Sequence, residues 1–225
     1  MPTGSGAIVV HRMLGQLLDN YRVVPYSPRL TYFPPALKWF VPRPNADLIH
    51  TTPDHAPMFR RRGVPLVVTF HNFVVDEYMS RYSTFAQRVH YATDLRYFLR
   101  RSLDIADCVT AVSSYTANLV RQELSFEGRI EVITNGVDTE TFRPGDYAQT
   151  TAIPRVLFSG NPSLRKGAHW LPDIARRVRG KATIVCTVPN GSEWASELKS
   201  AGVEIVDKMP FTSMPDLYRS VDALL

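Results

Sequence analysis

Leu66-Val67-Val68-Thr69-Phe70-His71-Asn72 is an apolar, β-branched run that ends on two polar side chains. Such a run predicts a strand whose carboxyl end presents polar groups at the rim of a sheet. Shorter runs of the same character lie at Val23-Val24, Leu48-Ile49-His50, Cys108 to Val112 and Ile130 to Ile133. Between them the apolar period lengthens to that of helices. Ile8 to Leu18 places apolar side chains at 9, 13, 14, 17 and 18, and Tyr91 to Leu103 does so with Leu95, Phe98 and Leu99. Ser113 and Ser114 are N-cap residues for a helix over Tyr115 to Gln122. Strands alternating with helices predict parallel α/β architecture.

The alternation pauses twice. Residues 28–45 contain Pro28, Pro34, Pro35, Pro42 and Pro44 and read as an irregular loop. Thr139 to Pro154 is polar and proline-bounded, which suits an interdomain linker. After it come a strand at Val156 to Ser159, a helix around Gly167 to Val178 and a strand at Thr183 to Cys186. A helix with Trp194 and Leu198, a strand at Val203 to Val206 and a helix from Met214, boxed by Ser213 and Asp216, follow. The expected domains are residues 1–140 and 155–225, joined by 141–154. The glycine turn at Gly4 to Gly6 has only three residues before it, and Val221 to Leu225 reads as a strand just beginning. Both ends give the expectation of a fragment, with the first strand and the last part of the second domain missing.

Composition narrows the function classes. The 225 residues are 44% hydrophobic and 21% charged, ordinary for a globular chain. Cys108 and Cys186 sit in apolar runs with no CxxC pair, so neither a disulfide nor a zinc site is expected, and a cytoplasmic setting is. No stretch has the roughly 18 apolar residues of a membrane span, and residues 1–20 do not form a signal peptide. The net charge of +5 is carried in part by Arg60-Arg61-Arg62, Arg96/Arg100/Arg101 and Arg176-Arg177/Arg179. These read as a solvated surface or as one attracted to phosphates and anionic lipid, at the inner face of a membrane. No finger, helix-turn-helix or stacking-aromatic signature supports nucleic acid as a partner.

Three stretches carry chemistry. Gly4-Ser5-Gly6 opens a helix, where backbone N–H groups can meet a diphosphate; a plain tight turn explains it as well. Val9 stands where a dinucleotide fingerprint needs its last glycine, which argues against a nicotinamide or flavin cofactor. His71 ends the strand quoted above, where open α/β sheets gather ligands; His50 ends another strand. Ser159-Gly160-Asn161-Pro162-Ser163-Leu164-Arg165-Lys166-Gly167 is a strand-to-helix turn whose adjacent cations suit a pyrophosphate, or simply a solvated surface turn. No catalytic serine triad, HExxH or paired-carboxylate spacing is present.

In order along the chain, these pieces resemble the GT-B, family-4-type retaining glycosyltransferases. The matching stretches are Gly4-Ser5-Gly6, Ala46 to His50, Pro65 to His71, Ala106 to Ser113, Ile133-Thr134-Asn135-Gly136-Val137-Asp138 and Phe142-Arg143-Pro144. Phe158-Ser159-Gly160 with Lys166-Gly167, then Leu217 to Ala223, complete the series. The resemblance implies two Rossmann-like domains, a nucleotide-diphosphate sugar as donor, a glycan, lipid-linked or small-molecule acceptor, and transfer with retention without a metal or other cofactor. It implies that Gly4 and Gly6 lie against the donor diphosphate and that Arg165 and Lys166 neutralise it. His71 would sit beside the reacting sugar, and Asn135, Gly136, Gly160 and Asn161 at the cleft or domain junction. Asn161 replaces the arginine the family commonly carries there, and the family's glutamate pair would fall beyond Leu225. That predicts little or no transfer by the 225-residue chain. Alternative readings are a non-catalytic nucleotide-sugar-binding module and a GT-B nucleotide-sugar epimerase.

Overall fold

The computed structural model describes residues 1–3, 6–145, 152–189 and 191–225. Gly4, expected at the diphosphate, and residues 146–151 of the expected linker lie outside the described residues. The chain forms two compact units, Met1–Gly136 and Val137–Leu225.

In the first unit, α1 (Gly6–Leu17) and α2 (Ala36–Phe40) precede β1 (Ile49–Thr51) and β2 (Leu66–Phe70). Three helices follow, α3 (Glu77–Arg81), α4 (Phe85–His90) and α5 (Arg96–Ile105), then β3 (Cys108–Ala111), α6 (Ser114–Leu124) and β4 (Glu131–Val132). The strands form a parallel sheet in the order β1-β2-β3-β4, with Val67 opposite Cys108 and His50 opposite Val67. Helical crossovers cover such a sheet, so its central strand is apolar on both faces. Leu66, Val68 and Phe70 of β2 are accordingly at most 1% exposed, packed with Leu99, Leu103, Val120 and Leu124. Each such burial contributes about 1.5–3 kcal/mol. Asp107 fastens the strand starts: its carboxylate accepts the Leu66 N–H at 2.7 Å and pairs with Arg60.

The second unit contains β5 (Arg155–Phe158), α7 (Leu171–Arg177), β6 (Thr183–Val188), α8 (Trp194–Ser200), β7 (Glu204–Asp207), α9 (Met214–Arg219) and β8 (Ala223–Leu224). Its sheet is parallel in the order β7-β6-β5-β8. Asp222 repeats the device of Asp107, accepting the Arg155 N–H at 2.7 Å. The strand order reverses at β5, which has β6 on one side and β8 on the other. In an open α/β sheet that reversal creates a crevice at the carboxyl end of the central strand.

The α/β expectation holds, and several local ones do not. The proline-rich segment is a 3₁₀ turn over Pro28–Tyr32 followed by α2, because prolines at helix starts forfeit no needed donor. Val23-Val24 forms no strand; Pro25 brings no N–H, and pairing is confined to a single Pro2–Tyr26 bridge. Helix α1 buries Ile8 and His11, while Leu17 and Leu18 face solvent. The helix expected around Gly167 to Val178 opens with a 3₁₀ turn over Ala168–Trp170, and α7 proper starts only at Leu171. Ser213 makes no side-chain cap to α9.

Candidate active site

Three elements of the first unit bring imidazoles together. β2 places His71 just beyond its carboxyl end, β1 carries His50, and α1 turns His11 inward to 1% exposure. Ring centroids lie 4.5 Å apart for His11 and His50 and 5.3 Å apart for His11 and His71. His71 Nε2 is 3.3 Å from His11 Nε2, and His11 Nδ1 is 2.5 Å from the Tyr21 hydroxyl. The same hydroxyl lies 2.8 Å from His50 Nδ1, whose Nε2 meets Thr69 Oγ1 at 2.5 Å. Thr69 in turn meets Thr110 at 2.6 Å.

Burial holds these rings neutral. It pushes His11 down to about 3, helped by the charges of His50, His71 and the Met1 amine. Burial, then His71, brings His50 to about 4, and burial lowers His71 as well. Burial also raises the Tyr21 phenol to about 12, so it keeps its proton. A neutral imidazole has one N–H and a phenol one O–H. If His71 Nε2–H donates to His11, His11 Nδ1–H donates to Tyr21 and Tyr21 donates to His50. If the order runs the other way, His71 carries its proton on Nδ1. That Nδ1 is buried and has no hydrogen-bond partner among the described residues. The network therefore sets whether His71 offers a donor or an acceptor there.

Tyr21→Phe removes the hydroxyl from two buried imidazole nitrogens at once. We expect it to destabilise the first unit by about 1–3 kcal/mol, read from urea unfolding; an unchanged midpoint would refute the network. A cavity of about 640 Å³ borders His11, Tyr21 and His50 from the side of Val24, Arg43 and Arg61, and His71 does not line it.

In the second unit the carboxyl end of β5 meets a cation. Gly160 has φ +107°, a conformation open to glycine and strained for other residues. Its N–H donates to Thr187 Oγ1 at 3.0 Å, and the Thr187 hydroxyl donates back to the Gly160 carbonyl at 3.2 Å. The turn returns through Leu164–Lys166 and reverses at Gly167, φ +79°. This lays Lys166 across Gly160, so closely that a Cβ there would stand 2.6 Å from Nζ. Lys166 is nonetheless exposed, as are Asn161 and Arg165. An ammonium over a bare glycine backbone at the sheet's crevice is suited to an anionic, phosphate-like group.

The sequence profile of Glycosyltransferase Family 4 matches residues 8–141, more than half of the chain. This chain belongs to glycosyltransferase family 4. A GDP-mannose-dependent α-(1-6)-phosphatidylinositol monomannoside mannosyltransferase of Mycobacterium tuberculosis is 34% identical over 102 residues. That match spans 40% of this chain and 26% of the relative. HepE from Anabaena, solved with UDP-glucose, superposes with TM-score 0.58 at 16% identity over 94% of this chain and 62% of its own. A sucrose-phosphate synthase from Thermosynechococcus elongatus gives TM-score 0.66 at 17% identity, over 89% and 56% respectively. These structures establish the fold of the family 4 chain.

Other expected site residues of this family 4 chain are placed differently. Gly6 starts α1 with open space where a Cβ would be, and Asn135 and Gly136 lie exposed after β4. The arginine clusters are partly engaged internally. Arg60 pairs with Asp107, Arg61 donates to the Pro44 carbonyl at 2.7 Å, and Arg96 pairs with Glu123. Arg101 and Arg176 each pair with an aspartate on their own helix. No helix of the described residues is long and apolar enough to cross a membrane. His11, Tyr21 and Thr187 were not expected in the site. His11 lies three residues from buried Ile8, a spacing that hints at a shared helix face; nothing local marks Tyr21.

Proposed function

We propose that this chain acts in transfer of a sugar from a nucleotide-diphosphate donor to a glycan, lipid-linked or small-molecule acceptor, with retention at the anomeric carbon. The observation that carries this reading is the Lys166 ammonium lying over Gly160 at the reversal point of the second sheet. In the reaction the bond from the anomeric carbon to the diphosphate oxygen breaks and a bond to the acceptor hydroxyl forms. The acceptor's proton leaves with the diphosphate. Lys166, with Arg165, meets the charge that develops on the departing group, which is stabilisation where the transition state needs it. At the start of α1 the backbone N–H groups from Gly6 onward suit an anionic group as well. His71 sits beside the reacting sugar and orients it, and Asn135, Gly136, Gly160 and Asn161 line the approach. No resident metal or cofactor is assigned a part, so chelation with EDTA should leave the rate unchanged.

The nucleotide sugars named with its relatives, GDP-mannose and UDP-glucose, are the donors to test first. The enzyme as expressed in its host, incubated with each and a panel of glycan and lipid-linked acceptors, should release the nucleoside diphosphate, with proton NMR showing retained anomeric configuration, while the 225-residue chain alone should release little or none. Inverted product, or epimerised sugar nucleotide formed without acceptor, would replace this reading with another.

A further inference from the structure

We propose that the two turns over residues 28–40 form a face that docks on membranes rich in anionic lipid. Tyr32, Phe33, Trp39 and Phe40 are 90%, 57%, 71% and 70% exposed. Tyr32 and Phe33 adjoin in the sequence, as do Trp39 and Phe40, and the Phe33 and Trp39 rings lie 6.3 Å apart, which links the two pairs. Beneath them the segment is anchored: Tyr26, Leu37 and Val41 are buried in a small core of their own, packed against Met58 and Phe59. The Ala36, Leu37 and Lys38 N–H groups donate to the Phe33, Pro34 and Pro35 carbonyls. The exposed rings therefore project from a proline-framed support that cannot readily fold them inward.

Charge identifies the occupant. From Asn20 to Ala46 the chain carries Arg22, Arg29, Lys38 and Arg43 and no aspartate or glutamate. Trp and Tyr partition to the headgroup boundary, where an apolar ring and a polar tip are both accommodated. Phe33 and Phe40 have no polar tip and gain from the acyl region beneath. Arg29 and Lys38, both exposed on the same turns, remain level with lipid phosphates. Aromatic burial combined with several nearby cations is the requirement for reversible interfacial binding. A glycan chain would stack on one or two of these rings and would use neither the cations nor both phenylalanines.

The test uses the 225-residue protein and vesicles of equal parts phosphatidylcholine and phosphatidylglycerol. The protein should float with these vesicles and not with pure phosphatidylcholine. Lipids brominated on the acyl chain should quench its tryptophan emission, and Trp39→Phe should abolish the quenching while leaving flotation intact. The pair Trp39→Ser and Phe40→Ser should weaken binding about tenfold, and Lys38→Glu about fivefold or more. These side chains are exposed, so melting temperatures should not move. Full binding by the double serine variant, or quenching that survives Trp39→Phe, would overturn the assignment. So would emission that responds to soluble acidic glycans but not to vesicles. None of these readouts depends on sugar transfer.

Discussion

Lys166→Ala weakens binding of UDP and GDP, the diphosphate probes, by about 10- to 100-fold, measured by calorimetry on the 225-residue protein. A hydrogen bond to a charged group contributes about 1.5–3 kcal/mol, and about 1.4 kcal/mol is tenfold in affinity. Lys166→Arg restores only part of the loss, because the guanidinium is broad and planar where the ammonium is compact. Unaltered affinity in Lys166→Ala would show that the cation faces solvent to no purpose.

Gly160→Ala separates position from mere charge. The new methyl would stand 2.6 Å from Nζ, so the lysine tip must move aside. That movement is inexpensive in itself, since the tip ends a flexible chain. The backbone at φ +107° is the harder demand and costs about 1–3 kcal/mol of stability. If the alanine acts on binding by displacing Lys166, it weakens diphosphate affinity in the wild type and adds little in the Lys166→Ala background. The double-mutant cycle reads that coupling directly. Additive losses would place the alanine's effect elsewhere in the turn.

The parts of this site written in local pattern were legible in the sequence. β2 was readable because four apolar residues in a run of five cannot hide in a loop, and the two polar residues after it marked the rim of the sheet. Gly160 and Lys166 were readable as a cationic turn, though not the reach of the lysine back over the glycine. That depends on the 3₁₀ turn over Leu164–Lys166, which brings the lysine side chain back to Gly160. The histidine network was invisible for a different reason. His11, Tyr21, His50 and His71 are separated by up to 60 residues and meet only when α1 packs at the sheet. Periodicity put the apolar face of this helix at 9, 13, 14, 17 and 18, yet Leu17 and Leu18 are exposed and it is His11, bonded to Tyr21, that is buried. Prolines misled in the opposite direction: five of them suggested an irregular loop, and the segment instead holds two short turns, Pro28–Tyr32 and Ala36–Phe40.

Acid should loosen the first unit before the second. Five of the six histidines lie in Met1–Gly136, and only His169 lies in the second unit. His11 is held at about 3, His50 at about 4 and His55 at about 4, all below the ordinary 6.5. Between those folded values and 6.5 the unfolded chain binds more protons, so stability is full above 6.5 and is lost as pH falls. Each such group removes up to about 1.4 kcal/mol per pH unit within its window. Three together rival the roughly 5–15 kcal/mol of a whole domain. The facing groups mostly reinforce the trend: His11 meets His50, His71 and the Met1 amine, and His55 meets His90. Buried Asp54 opposes it, because burial raises its carboxyl and the folded state then takes up that proton more readily. One carboxylate against three imidazoles leaves the balance with acid unfolding. Hydrogen exchange, followed peptide by peptide and corrected for its intrinsic pH dependence, should show β2 and β3 opening between about pH 6 and 4 while β5 and β6 stay protected. His55→Phe should flatten the slope by one proton whatever it does to stability at neutral pH. Simultaneous opening of both units, or a slope indifferent to His55, would mean the buried imidazoles do not govern the transition.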